Sequence, residues 1–177
     1  MFVLDEKVVY PGHGVAKISR ILEKSFAGHS TTFFELKFLN KDMTILVPID
    51  NFDLVGIRRL SSLENINEIF RMLAEPVGLI HTESSPSNWN KRNKEYQCKL
   101  RTGNLRDICK IYRDLKYISS YKELSFGEKN LLQQTEMLLA QEISLVKKVG
   151  EDSTVEQLRS LCTAKIPTMP SLAAQQL

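Results

Sequence analysis

At Leu60 the hydrophobic period of this chain changes from two to near 3.6, and one such switch points to a β unit followed by a helical unit. Before the switch, short runs rich in β-branched and aromatic residues predict strands at 7–10, 15–22, 32–39, 43–47 and near 55–60. Turn formers separate them: Pro11-Gly12-His13-Gly14, Ala27-Gly28 and the tight Asn40-Lys41-Asp42. Five short strands in so little sequence predict a small Tudor-like or SH3-like barrel.

After the switch, Ser61-x-x-Glu64 has the form of a capping box ahead of an apolar stripe of Ile66, Ile69, Phe70 and Leu73. Pro76 and Gly78 end that helix, and 77–86 reads as a connecting loop. A second helix starts at Ser87 or Asn88 and runs to Gly103, a residue suited to a left-handed cap. Asn104 caps a third, which carries Leu105, Ile108, Tyr112 and Leu115 on one face and Arg106, Lys110 and Arg113 on another. Ser125-x-x-Glu128 opens a long helix with Leu132, Leu139, Ile143 and Val146 in register, and Ser153-x-x-Glu156 opens a last short one. The expected class is α+β with two domains: a β barrel over 1–60, an all-helical bundle over 61–164 and a disordered tail over 165–177.

Hydrophobic residues are 42% of the 177 and charged residues 25%, enough apolar material for a core. No run approaches the roughly 18 apolar residues of a membrane span, and the N-terminus lacks a basic flank before an apolar stretch. A soluble cytoplasmic protein with no membrane partner is expected. Cys98, Cys109 and Cys162 show no Cys-x-x-Cys spacing and read as buried reduced thiols. The net charge of +3 is small, but it is unevenly placed. Over 1–60 eight basic residues meet seven acids, whereas over 88–117 nine basic residues meet only Glu95, Asp107 and Asp114.

Catalysis leaves no trace here: there is no phosphate-binding glycine loop with its lysine, no nucleophile elbow and no triad. His13, His29 and His81 are far apart in turn or loop contexts. Neither an enzyme nor a cofactor nor a metal is expected. Trp89, the single tryptophan, sits in the first turn of a basic helix beside Asn88, Lys91, Arg92 and Lys94. Its residue type leaves two readings open, a core anchor continuing to Tyr96 and Leu100, or a wedge for the minor groove of DNA. Arg106, Lys110 and Arg113 are equally open between a solvated edge and a phosphate-binding one.

Six segments in order then carry a resemblance: Val8 to Val15 with its Pro-Gly-His-Gly turn, Asp42-Met43-Thr44-Ile45-Leu46-Val47-Pro48, Val55-Gly56-Ile57-Arg58, Pro86-Ser87-Asn88-Trp89, Arg113-Asp114-Leu115, and Leu124-Ser125-Phe126-Gly127-Glu128-Lys129. Over 3–146 the chain resembles the CarD-like transcription regulators, whose N-terminal domain is shared in part with the transcription-repair coupling factor. The resemblance implies a Tudor-like domain that binds the β subunit of RNA polymerase and a helical domain that contacts double-stranded promoter DNA upstream of the melted bubble, stabilising the open complex. It carries the wedge role to Trp89 and basic DNA contact to Lys91, Lys94 and Lys129, and Asn88 and Arg92 beside Trp89 complete the expected DNA-binding set. For the polymerase it points to Lys24 and to the motif holding Leu46 and Pro48, where Leu46 replaces the arginine of some members. It also implies a monomer. A second function remains beside it: an interaction adaptor with a Tudor-like domain and no DNA role.

Overall fold

In the computed structural model, which describes residues 2–26, 28–75 and 89–163, the alternating first third forms one antiparallel sheet. Its strands are β1 (Lys7–Tyr10), β2 (Gly14–Phe26), β3 (His29–Phe38), β4 (Thr44–Pro48) and β5 (Arg58–Arg59), in the order β4-β3-β2-β1-β5. Alternation decides the faces: Phe34, Leu36 and Phe38 are buried while Glu35 and Lys37 between them are not. A bulge between Ile18 and Arg20 sets two residues of β2 against one of β3, and Ser19 hydrogen-bonds both the carbonyl and the carboxylate of Glu35 there.

This five-stranded antiparallel sheet is the Tudor-like unit expected, with β4 and β5 at its two edges. One detail differs from expectation. The fifth strand is only Arg58–Arg59, because Phe52–Val55 forms a short helix, α1, that ends on left-handed Gly56 (φ 79°). Phe52 drops from α1 into the sheet's core, its ring 4.9 Å from both Phe2 and Phe34. Val8, Ile18, Leu36 and Val47 complete that core.

Helices α2 (Leu63–Ala74), α3 (Trp89–Thr102), α4 (Leu105–Tyr121), α5 (Phe126–Lys147) and α6 (Glu151–Thr163) share a second core built on Ile66, Leu100, Ile111, Tyr112, Leu139 and Leu158. Helix α5 is central, meeting α2, α4, α6 and strand β2, so residues all round it are buried. The Ser125–Glu128 capping box forms in full, and Asn104 caps α4 by accepting from the Arg106 N–H. At α2 the cap is Ser62, which accepts from the Asn65 N–H, rather than Ser61. Helix α6 starts two residues before Ser153, so that serine lies inside it and the expected box is absent. Cys109 and Cys162 are buried as expected, but Cys98 is exposed on α3. Among the described residues no helix is long and apolar enough to cross a membrane. The 77–86 loop and the 165–177 tail lie outside the described residues.

Candidate nucleic-acid interface

The first turns of α3 and α5 rest on one another, and a glycine makes this possible. A β-carbon on Gly127 would stand 3.0 Å from Trp89 Cζ2 and 3.5 Å from its Nε1, so the indole lies directly over the bare backbone of α5. Trp89 is half-buried: one part of the ring packs on the helical core and the rest reaches solvent. It is neither sealed in the bundle nor free of it.

Beside the ring, Glu128 gathers the local charges although it is itself 2% exposed. It accepts from Arg92 Nη2 at 3.0 Å, from Lys122 Nζ at 3.4 Å, and from the N–H and hydroxyl of Ser125 at 2.9 Å each. Burial opposes its ionisation, but the Ser125 donors and the Lys122 ammonium outweigh that and hold the carboxyl below the usual carboxylate range. One carboxylate therefore locks α3, the α4–α5 turn and the α5 cap together.

The structure distributes the expected DNA contacts unequally. Lys91 and Lys94 are exposed, with no ion-pair partner among the described residues. Lys129 is exposed and pairs with the open carboxylate of Glu123 at 2.9 Å. Arg92 turns inward to Glu128 and positions the site. Asn88 lies outside the described residues. The three cations of α4 that the pattern singled out each have a partner within the chain: Arg106 pairs with Glu68, Lys110 with Asp107 at 3.8 Å, and Arg113 donates to the carbonyl of Glu75 at 3.3 Å.

On the β unit, register places the expected polymerase contacts in consecutive cross-strand rows. Arg20 faces Glu35, which faces Leu46; Leu22 faces Phe33, which faces Pro48; Lys24 faces Thr31. Successive rows two residues apart share a face, so Lys24, Leu46 and Pro48 belong to one surface beside edge strand β4. Lys24 is exposed and Leu46 is 40% exposed.

Sequence reasoning missed how the two units are joined. Arg58 makes a bidentate pair with Glu142, 2.7 Å from Nη1 to Oε1 and 2.8 Å from Nη2 to Oε2, while its Nε donates to the Gly103 carbonyl at 2.9 Å. The Ser61 N–H donates to the same carboxylate at 2.8 Å and its hydroxyl accepts from Arg58 Nη1 at 3.4 Å, while Ser62 caps α2. Across the joint, the Val15 N–H donates to Gln141 Oε1 at 3.0 Å and Gln134 donates to the Gly12 carbonyl at 3.3 Å. Gly14 (φ 101°) has no room for a side chain, since a β-carbon would run into Gln141 Oε1. Pro11 closes over Gly103. The Pro-Gly-His-Gly turn is thus a fitting between sheet and helices; only its glycines hinted at a close approach.

Residues 68–159 match the profile "CarD, C-terminal domain", which spans more than half of the chain, and residues 2–61 match "CarD-like/TRCF RID domain". The chain belongs to the CarD family. As a CarD-family transcription factor it has an N-terminal domain of the RNA-polymerase-interacting type. It is 26% identical over 152 residues to the "Putative transcription factor YdeB" of Bacillus subtilis (strain 168), a match covering 85% of this chain and 95% of that relative. The solution structure of the 72-residue N-terminal domain of Myxococcus xanthus CarD is 29% identical, covering 33% of this chain and 79% of that domain with a TM-score of 0.30.

Proposed function

We propose that this CarD-family protein binds the β subunit of RNA polymerase through the Lys24, Leu46 and Pro48 surface of its 1–60 domain, and that the Trp89 end of its 61–164 domain holds promoter DNA at the upstream edge of the melted bubble. The observation that carries the reading is the seat of Trp89, an indole braced on Gly127 with part of its surface open and exposed Lys91, Lys94 and Lys129 nearby. An apolar ring so braced can enter the minor groove and part a base step while the lysines meet phosphates.

Energetics favour a tethered contact over a free one. Three lysines neutralise few phosphates, so the isolated protein binds duplex weakly, with affinity falling about 0.9 log units per log unit of salt for each contact. Docking on the polymerase makes the DNA encounter intramolecular and supplies the missing concentration. A wedge that fits a distorted step better than a regular one then favours the open complex, each 1.4 kcal/mol of preference being about tenfold in the equilibrium. With Leu46 rather than a cation on β4, docking there is apolar and rests more on the strand edge and on Lys24. The protein acts as a monomer, in the cytoplasm, wherever polymerase is engaged.

The test uses purified polymerase and a promoter with a short-lived bubble, challenged with competitor DNA. Adding the chain is expected to lengthen open-complex lifetime and to protect the upstream bubble edge from cleavage. Unchanged lifetime and an unchanged footprint would remove the DNA role.

A further inference from the structure

We propose that a cleft on the seam between sheet and helices binds a small phosphate ester of the nucleotide class. The cleft has a volume of about 380 Å³ and is walled by β5 with the residues after it, by the start of α2, and by the α3–α4 turn with the start of α4. That volume lies within the range of small-ligand sites and is far more than a bare phosphate fills. The cleft is at the opposite end of α3 from Trp89, so it stands apart from the reading of that end as a DNA interface.

The chemistry of the wall selects an anion. Among the described residues that line it there is no carboxylate, while Arg58, Arg59 and Arg106 all contribute. Two of these guanidinium groups are spoken for: Arg58 holds Glu142 and the Gly103 carbonyl, and Arg59 holds Glu6 at 2.6 Å and lies over the Phe2 ring. Arg106 is the cation that can act. Its Nη2 donates to Glu68, but its Nε and Nη1 make no hydrogen bond among the described residues, and the side chain is 54% exposed. A second acceptor can therefore take those donors without breaking the Glu68 pair. The side-chain amide of Asn65 on α2 and the Nδ2 of Asn104 before α4 add N–H groups that likewise have no partner among the described residues; the Oδ1 of Asn104 is already engaged as the α4 cap. Buried Ile69 and Leu105 supply the apolar part of the wall. Donors without acceptors beside an apolar surface fit a ligand with a phosphate at one end and a flat, weakly polar body at the other, and a guanidinium matches phosphate geometry. Held there, the ligand touches both units next to the Arg58 joint and favours their joined form.

The experiment titrates ADP and GDP into the full chain, following the heat of binding and the melting temperature, with adenosine, inorganic phosphate and a short DNA duplex as parallel probes. At least one of the two nucleotides is expected to bind, to raise the melting temperature with concentration, and to bind more tightly than adenosine or inorganic phosphate. Arg106→Gln and Asn65→Trp, both at exposed positions, are expected to leave the melting temperature of the free protein unchanged. The first removes a charge-assisted hydrogen bond and the second fills the cleft, and each is expected to weaken the nucleotide about tenfold. Absence of binding by both nucleotides overturns the proposal. Binding undiminished in either variant overturns it as well, because the ligand then sits elsewhere, and so does inorganic phosphate binding as tightly as the nucleotide, because no body is then held. Duplex binding that both variants weaken, with no nucleotide bound, assigns the cleft to DNA phosphates and equally overturns it.

Discussion

The indole of Trp89 is aimed by Gly127: a β-carbon at that glycine would come within 3.0 Å of the ring, so the first turn of α5, rather than α3 alone, fixes where the ring points. Two substitutions separate aiming from contact. Trp89→Ala is expected to shorten open-complex lifetime by the equivalent of about 1 to 3 kcal/mol of lost stacking while the purified protein keeps its helical circular dichroism. Gly127→Val is expected to shift tryptophan emission and shorten the lifetime with the indole still present. A Trp89→Ala protein that unfolds would reveal a core anchor.

Lys91 and Lys94 are exposed on α3, and under the proposed function their part is electrostatic. Replacing each with alanine is expected to lower the slope of log affinity against log salt by about 0.9, measured by fluorescence anisotropy on a short duplex. A slope indifferent to both substitutions places the phosphates elsewhere.

The Arg58–Glu142 pair bridges sheet and helices with the carboxylate buried and the guanidinium partly wet. Arg58→Ala leaves Glu142 buried without its counterion, and unfolding in urea is expected to show a loss of about 3 kcal/mol, the lower end for a broken buried pair. Arg58→Met with Glu142→Leu is expected to recover most of that. Strict additivity of the two single losses in the double variant would mean the pair is not coupled.

Acid is expected to weaken the fold through Glu128 and Glu136. Burial disfavours the charged form of Glu136, but hydrogen bonds from Arg159 and Tyr112 overcome it, so both carboxyls sit below their ordinary range in the folded protein. Their contribution is therefore complete above the unfolded carboxylate pKa and is lost as pH falls through the folded values. Urea midpoints taken from neutral pH downward should fall less steeply for Glu136→Gln. A parallel fall in that variant counts against the assignment.

Gly14→Ala tests the joint from the other side. At φ 101° and against Gln141 the new methyl meets both backbone strain and a clash, and a loss of at least about 1 kcal/mol is expected by thermal unfolding. Gln141→Ala in the same chain should relieve the clash but not the strain.

Local signals were legible where they sufficed. Ser125 and Glu128 are three residues apart, and their box forms as the spacing says. Ser61 and Ser62 are both good cap residue types, and Ser62 caps α2 while Ser61 is drawn into the Arg58–Glu142 joint, whose acid is remote in sequence. The same remoteness hid Gln141 under Val15, pairs 126 residues apart that no periodicity can disclose. Cys98 is exposed rather than buried, and a thiol on a basic helix can sit on either side of the narrow stripe of Tyr96 and Leu100. For Arg92, composition could mark a cation but not the buried Glu128 that turns it inward.

The fitting of the Pro-Gly-His-Gly turn into α5 and the α3–α4 turn has a geometric corollary. Under the proposed function it makes the molecule a ruler, with one end fixed on the enzyme and the other striking the duplex at a set distance. Such a device needs no base-reading side chains to act at one promoter coordinate, because the polymerase itself supplies the origin of measurement.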